Sequence, residues 1–331
     1  MFIKHQFVNA ARIEIHGDWT EFYPNSQTYE KYTNNNSKLE AKENSYYVSS
    51  CFFTQVNTKG SIYLYTKKNT IKFLIDTTTF NNCSNNQAGG CIFYSQEGEF
   101  VQDRVCSFAS KVNSLYTHGV YCKIDVSNSN TYKNYIYDSS ISKSLDEHKD
   151  VGWNNLYLIN GQIEIKSINI SFSKLWRRDF YEIDSVSKGS NCSFSTFSNS
   201  NGISGNPKFC HLNSQENFEI RNCNILNNIG ILLWAESAPF YIKNCSFINN
   251  NDNNKYYFYG NITLDGCFID NKSPKTKEGT VIFINNITNE FIHKFSHFST
   301  ANCLADIPIQ HTKHISSLCV FLSSLNILIR F

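Results

Sequence analysis

The chain has 331 residues, a formal net charge of +2, 18 % charged and 15 % aromatic residues. That balance excludes an intrinsically disordered chain and removes the electrostatic case for nucleic acid or an anionic membrane surface as partner. The length exceeds one ordinary core, a limit that a solenoid escapes because each repeat contacts only its neighbours.

In chain order, residues 1–45 hold one strand candidate, Arg12–His16, and a polar run, Tyr32–Lys38. Met1–Ala10 lacks an apolar run of signal-peptide length. Because terminal repeats of solenoids differ from the rest and close off the core, 1–45 is expected to form an N-terminal cap and polar loop. From Tyr46 a loose repeat begins: Cys51-Phe-Phe53, Thr78-Thr-Phe80, Cys106-Ser-Phe108, Asn169-Ile-Ser-Phe172 and Cys192-Ser-Phe194. A second signal, Gly followed by apolar alternation, occurs at Gly60, Gly90, Gly161, Gly230, Gly260 and Gly279. Glycine permits the turn into a second strand, whose period of two suits a half-buried sheet. Residues 128–153, rich in Ser, Asn, Lys and Asp, show no repeat core and are predicted to be an insertion.

The repeat is sharpest between Phe218 and Asn271, where Cys223, Cys245 and Cys267 recur at 22-residue spacing. A fixed period of that size marks a repeat architecture. Side chains alternate along a strand, so Cys245 and Phe247 share one face and Ser246 takes the other. Stacked coils would then align Cys223, Cys245 and Cys267 in one inward column and Ile225, Phe247 and Phe268 in another. The third unit is one residue short, so registering both columns needs a local adjustment. Asn228, Asn250 and Asn271 suit tight corners and can bond to the Asn above and below. The fold class that follows is all-β: a parallel β-helix of about ten coils over residues 46–310, roughly 50 Å long, with capping elements.

At the C-terminus, 311–331 contains an uncharged apolar run, 315–329. Ile315, Leu318, Leu322, Leu325 and Ile329 share one helical face. The run is short for a bilayer span, so it is expected to cap the solenoid; a short membrane anchor is the alternative. The twelve cysteines show no CxxC. In an inward column they are expected as buried free thiols acting as small hydrophobes, with several disulfides as the alternative.

Phe247-Ile-Asn-Asn250 and Phe268-Ile-Asp-Asn271 resemble the Phe-x-x-Asn repeat of polymorphic membrane proteins, and Gly89-Gly90-Cys91-Ile92 is similar to their Gly-Gly-Ala-Ile motif. The Asn-rich, Cys-bearing style looks like the trichomonad surface proteins that carry such repeats. The resemblance covers roughly residues 46–300. It implies a right-handed parallel β-helix of the pectin-lyase type, display at the cell surface or outside the cell, and adhesion.

Parallel β-helices also host enzymes, so chemistry has to be sought in residues. Glycoside hydrolysis needs two carboxylates across a sugar bond. Asp146-Glu147 falls in the predicted insertion and is expected to be a solvated pair; Asp76, Asp265 and Asp270 are expected at the surface or at corners. His293 with His297, and His311 with His314, have spacings a metal could use on a helix. The rings of Phe291, Phe295 and Phe298 favour strand packing instead, and no glutamate completes a metalloprotease motif. Ser195 and Ser204 lack a Gly-x-Ser-x-Gly elbow. No catalytic residue, metal or cofactor is implied. Asn244 and Asn261 open Asn-x-Ser/Thr sequons and are candidate glycosylation acceptors in a secreted chain.

The reading that follows is a non-enzymatic solenoid presenting one long sheet to a surface ligand, either carbohydrate or a host-cell protein, with membrane attachment through 315–329 as an option. A polysaccharide lyase or glycoside hydrolase on the same fold is the first alternative. A cytoplasmic or truncated structural member of the family is the second.

Overall fold

Alternation decides the local structure. In Ile62–Tyr65 and Phe240–Lys243 every second side chain is buried and those between are partly or well exposed, the pattern of a strand with one face on a core. The computed structural model describes residues 18–295 apart from 27, 42–43, 58, 96, 115–116, 145–151, 176–180, 203–207, 251–257 and 271–273. The strand candidate at 12–16, Asp146-Glu147, Ser204, Asn271, His297, His311, His314 and the whole 311–331 run lie outside the described residues.

The strands wind into a parallel β-helix. Among the described residues sheet I has eleven strands, from Glu30–Thr33 to Val281–Ile284; sheet II has nine, from Phe52–Thr54 to Phe268–Ile269; sheet III has nine, from Leu39–Ala41 to Phe258–Tyr259. A typical coil visits I, II and III in turn and pairs in parallel with the coil before it. Eleven rungs at about 4.8 Å each span roughly 50 Å. One continuous core fills the interior from Leu39 to Cys267.

The corner between sheets I and II is the constant part of the repeat. It is two residues long in every coil from Ser50-Cys51 to Gly266-Cys267. Its first residue has positive φ: Ser50, Thr77, Arg104, Asp138, Ser167, Phe194, Asn222, Asn244 and Gly266. L-residues adopt that conformation at a cost, which Asn and Gly bear best. A second left-handed series follows sheet II at Gln55, Asn82, Ala109, Lys143, Phe172, Asn199, Asn227 and Asn249. In each Asn pair, then, the first residue makes the corner and the second faces inward. At the next corner, Gly89-Gly90 is required by close approach: a Cβ on Gly90 would lie 2.0 Å from the Val120 carbonyl oxygen.

Several expectations are corrected. Among the described residues the solenoid already includes Glu30, ahead of Tyr46, because Glu30–Thr33 pairs with Tyr46–Ser49 and Leu39–Ala41 pairs with Ile62–Leu64. Ahead of it, the short helix Trp19–Phe22 does not cover an end. Trp19 and Tyr23 lie on the outer face of sheet I against Tyr47, Leu74 and Val101, outward positions that are apolar in those coils. The predicted insertion at 128–153 contains a regular coil, with Lys133–Tyr137 in sheet I and Ser140–Ser142 in sheet II. Its inward positions include Asn134 and Ser139, both fully buried, so no apolar pattern disclosed it. Gly-headed strands enter two sheets rather than one: those after Gly60, Gly90 and Gly230 join sheet III, and those after Gly161, Gly260 and Gly279 join sheet I.

Candidate functional site

The repeat residues singled out in the sequence are structural. Cys223, Cys245 and Cys267 form an inward column, each buried. They are more than small hydrophobes. Cys245 Sγ accepts the Cys223 amide at 3.3 Å and donates to the Lys243 carbonyl at 3.3 Å; Cys267 Sγ accepts the Cys245 amide at 3.4 Å. Ser139 and Ser195 do the same in earlier coils, accepting the amides of Val105 and Ile168 at 3.2 Å. Ser195, the candidate nucleophile among the described residues, is therefore a corner post: it is fully buried and also donates to the Ser193 carbonyl. Nine described cysteines are free and buried, while Cys106 is disulfide-bonded.

Asn250 Oδ1 accepts the Asn228 amide at 3.0 Å and its Nδ2 donates to the Ile225 carbonyl at 2.7 Å; Asn228 Oδ1 accepts the Ser200 amide at 3.1 Å. Phe268 does not join the column of Ile225 and Phe247. The register sets it beside Ser246 and brings Ile269 beside Phe247, because the third unit loses its residue after the strand, not within it. Ser246 is likewise not at the surface. It is fully buried, with its hydroxyl donating to the Phe291 carbonyl. That burial also closes the Asn244 sequon, whose Asn244 amide donates to Asn222 Oδ1 at 2.6 Å. Asn261 is exposed.

The acidic candidates sort by burial. Asp76 is at a corner but not at the surface: Arg104 Nη2 lies 2.5 Å from its Oδ1, and it is only 6 % exposed. Neighbouring Asp103 sits 3.3 Å from Arg104 Nε, yet burial, reinforced by Asp138, Asp76 and Glu21, outweighs that attraction and pushes its carboxyl up to about 7. Asp265 accepts from Asn285 at 2.8 Å and Asp270 accepts the Asn249 amide, both at corners. Among the described residues no group of three or more His, Cys, Asp or Glu is placed to hold a metal, and no helix is long and apolar enough to cross a membrane. His293 lies along a strand-like segment, stacked with Phe295 at 5.4 Å.

Two outer features come together through the strand register. Register on sheet III lines up Tyr63, Phe93, Lys123, Tyr157, Glu182, His211, Trp234 and Tyr259 along the axis. Their ring faces are turned on one another. Tyr63 stacks on Phe93 at 4.8 Å, Trp234 on Tyr259 at 3.8 Å, and His118 on Tyr157 at 4.4 Å, while Lys123 lies over both Phe93 and Tyr157. Buried Glu182 is flanked by His118 Nδ1 at 3.3 Å and His211 Nδ1 at 3.5 Å, and His211 Nε2 reaches Glu236 at 3.1 Å. Asn154 adds a hydrogen bond. Burial opposes ionisation of Glu182, but the hydrogen bonds and charge of the two histidines outweigh it and hold the carboxyl well below its usual range. With faces and charges mutually occupied, this row ties coils together and offers little to a ligand.

The second feature is a cleft of about 250 Å³ where sheet III turns into sheet I, lined by Lys188, Gly189, Ser190, Glu216, Asn217, Glu219 and Tyr241. Its floor is held: Ser190 Oγ accepts the Ile163 amide at 2.9 Å and donates to the Ser187 carbonyl at 2.7 Å. Tyr241 forms the wall and is 46 % exposed. It occupies the outward position that Glu219 and Thr263 hold in the adjacent coils. An outward aromatic in one unit of a close repeat is the signal that could have found it. The chain matches no family model, no curated protein and no solved structure.

Proposed function

We propose that this chain is a non-enzymatic binding solenoid that takes up carbohydrate through the Tyr241 cleft and acts in adhesion at a cell surface. The observation that carries the reading is the exposed Tyr241 wall of a polar cleft. An aromatic side chain offers a large apolar face at small entropic cost, and binding sites combine such a surface with a few convergent polar groups. The apolar face of a sugar ring fits against Tyr241, and its hydroxyls fit the carboxylates of Glu216 and Glu219, the Asn217 amide and the Lys188 ammonium. Display and adhesion rest on the repeat resemblance. A glycan array probed with the full chain tests the ligand class. Binding that is lost in Tyr241→Ala and kept in Tyr241→Phe is expected; an array without a single bound glycan sinks the reading. Labelling of intact cells with an antibody to the chain tests display.

One observation favours cleavage as a second reading. Glu216 and Glu219 line the same cleft, and glycoside hydrolysis uses a carboxylate pair. Release of reducing ends from a bound glycan, abolished by Glu216→Gln, would replace binding by catalysis.

A further inference from the structure

After the last rung of sheet I the chain returns across the outer face of sheet II. Phe291–Phe295 lies there with its side chains alternately half-buried and exposed, the pattern of a docked strand. Asn224 reads its backbone in both directions: Oδ1 accepts the His293 amide at 3.0 Å and Nδ2 donates to the His293 carbonyl at 2.9 Å. Ser246, one rung away, donates to the Phe291 carbonyl. His293 Nε2 meets the Asn244 carbonyl oxygen at 2.7 Å. Phe295 packs edge-on against Phe194 at 6.4 Å, a ring that is 39 % exposed at the corner. Two residues of extended chain advance about 6.7 Å against about 4.8 Å between rungs, so the segment runs obliquely from mid-sheet to the corner.

We propose that this face of sheet II is a recognition track for extended peptides of the pattern aromatic-x-His-x-aromatic, and that residues 291–295 occupy it in cis. The pairing with Asn224 is to backbone and therefore independent of sequence; the rings at 291, 293 and 295 supply the selectivity. Ile292 and Lys294 face away and are exposed, so those positions are free to vary. The outward row continues beyond Asn224 with Thr196 and Asn169, short polar side chains that leave room for a chain above them. A tethered segment competes at an effective concentration in the millimolar range, so a peptide from another molecule enters only when the strap is displaced.

The test uses full-length chain and a fluorescein-labelled peptide of residues 287–295. Phe291→Ala with His293→Pro disables the strap without altering the track, since proline has no amide hydrogen for Asn224. Fluorescence polarisation is expected to show the peptide binding this variant at least about tenfold more tightly than the unaltered chain. Adding Asn224→Ala should weaken that binding by about tenfold, the effect of losing about 1.4 kcal/mol of hydrogen bonding. Absence of binding to the strap variant, or binding indifferent to Asn224→Ala, overturns the proposal. Should the strap variant fail to fold, hydrogen exchange on Asn224→Ala alone decides. Faster exchange at 291–295 with 240–243 unchanged supports the track, and unchanged exchange at 291–295 overturns it.

Discussion

The coils carried by Cys223, Cys245 and Cys267 and the wider coils around residues 83–140 enclose different interiors. In the 22-residue coils the space between sheets is filled by Ile225, Phe247, Ile242 and Leu264, and each inward polar atom bonds to the backbone of an adjacent coil. The wider coils admit polar side chains that bond to one another. Gln102 is fully buried between Ile75 and Ile136; its Oε1 accepts from Tyr121 at 2.7 Å and its Nε2 donates to Ser139 at 3.0 Å. Ser107 interrupts the apolar column between Phe80 and Ile141 and bonds to Ser110, whose Oγ lies 3.0 Å from Cys91 Sγ. Longer corners bring extra residues such as Tyr121 over the core, and these satisfy polar groups that a short coil would leave stranded. Coil length, not hydrophobicity alone, sets what the core can hold.

The largest test of this contrast is in the short coils. Phe247→Ala is expected to cost about 3–5 kcal/mol, from lost transfer energy and an unfilled cavity, read from urea denaturation midpoints. In the wide coils Tyr121→Phe should cost about 1–3 kcal/mol by leaving Gln102 Oε1 without its donor, whereas the double change with Gln102→Leu should recover most of it, because removing both partners strands neither. A double change as costly as the single one would mean that the network does not act as a unit.

Two buried carboxyls sharpen the contrast through pH. Glu182 is depressed, so its stabilisation is present above its ordinary value of 4.5 and is lost as pH falls below it. Asp103 is raised from 3.8 to about 7, so stability declines as pH rises between those values. Urea midpoints from pH 3 to pH 8 should show Glu182→Gln flattening the acid limb and Asp103→Asn flattening the rise-dependent loss; slopes of the reverse sign would refute both assignments. The smallest effect is expected at Cys245→Ser, about 1 kcal/mol, because a hydroxyl can keep the backbone bonds of the thiol, as Ser139 and Ser195 do at the equivalent corner place. A cost near that of Phe247→Ala would show that the thiol column does more than meet backbone amides.

The parallel β-helix was legible because three evenly spaced cysteines and period-two alternation specify both repeat and face. Phe268 was misplaced because the spacing shows that a residue is missing but not on which side of the strand. Residues 133–142 are not legible as a coil because Asn134 and Ser139, both fully buried, hold inward positions that other coils fill with apolar residues. Ser246 is polar and outward, and nothing local reveals that Phe291, 45 residues later, covers it. The Tyr241 cleft draws its lining from three separate strand ends, so its members come together only once register is known.

The invariant two-residue corner between sheets I and II has a practical consequence for anyone who wishes to graft onto this scaffold. One added residue there, for instance between Asn222 and Cys223, would exchange the inward and outward faces of the strand that follows. The turns leaving sheets II and III vary in length from coil to coil and absorb such changes. An epitope or affinity peptide set at Gln215–Glu216, on the turn from sheet III, would be carried outside the stack, with every rung beyond it still in phase.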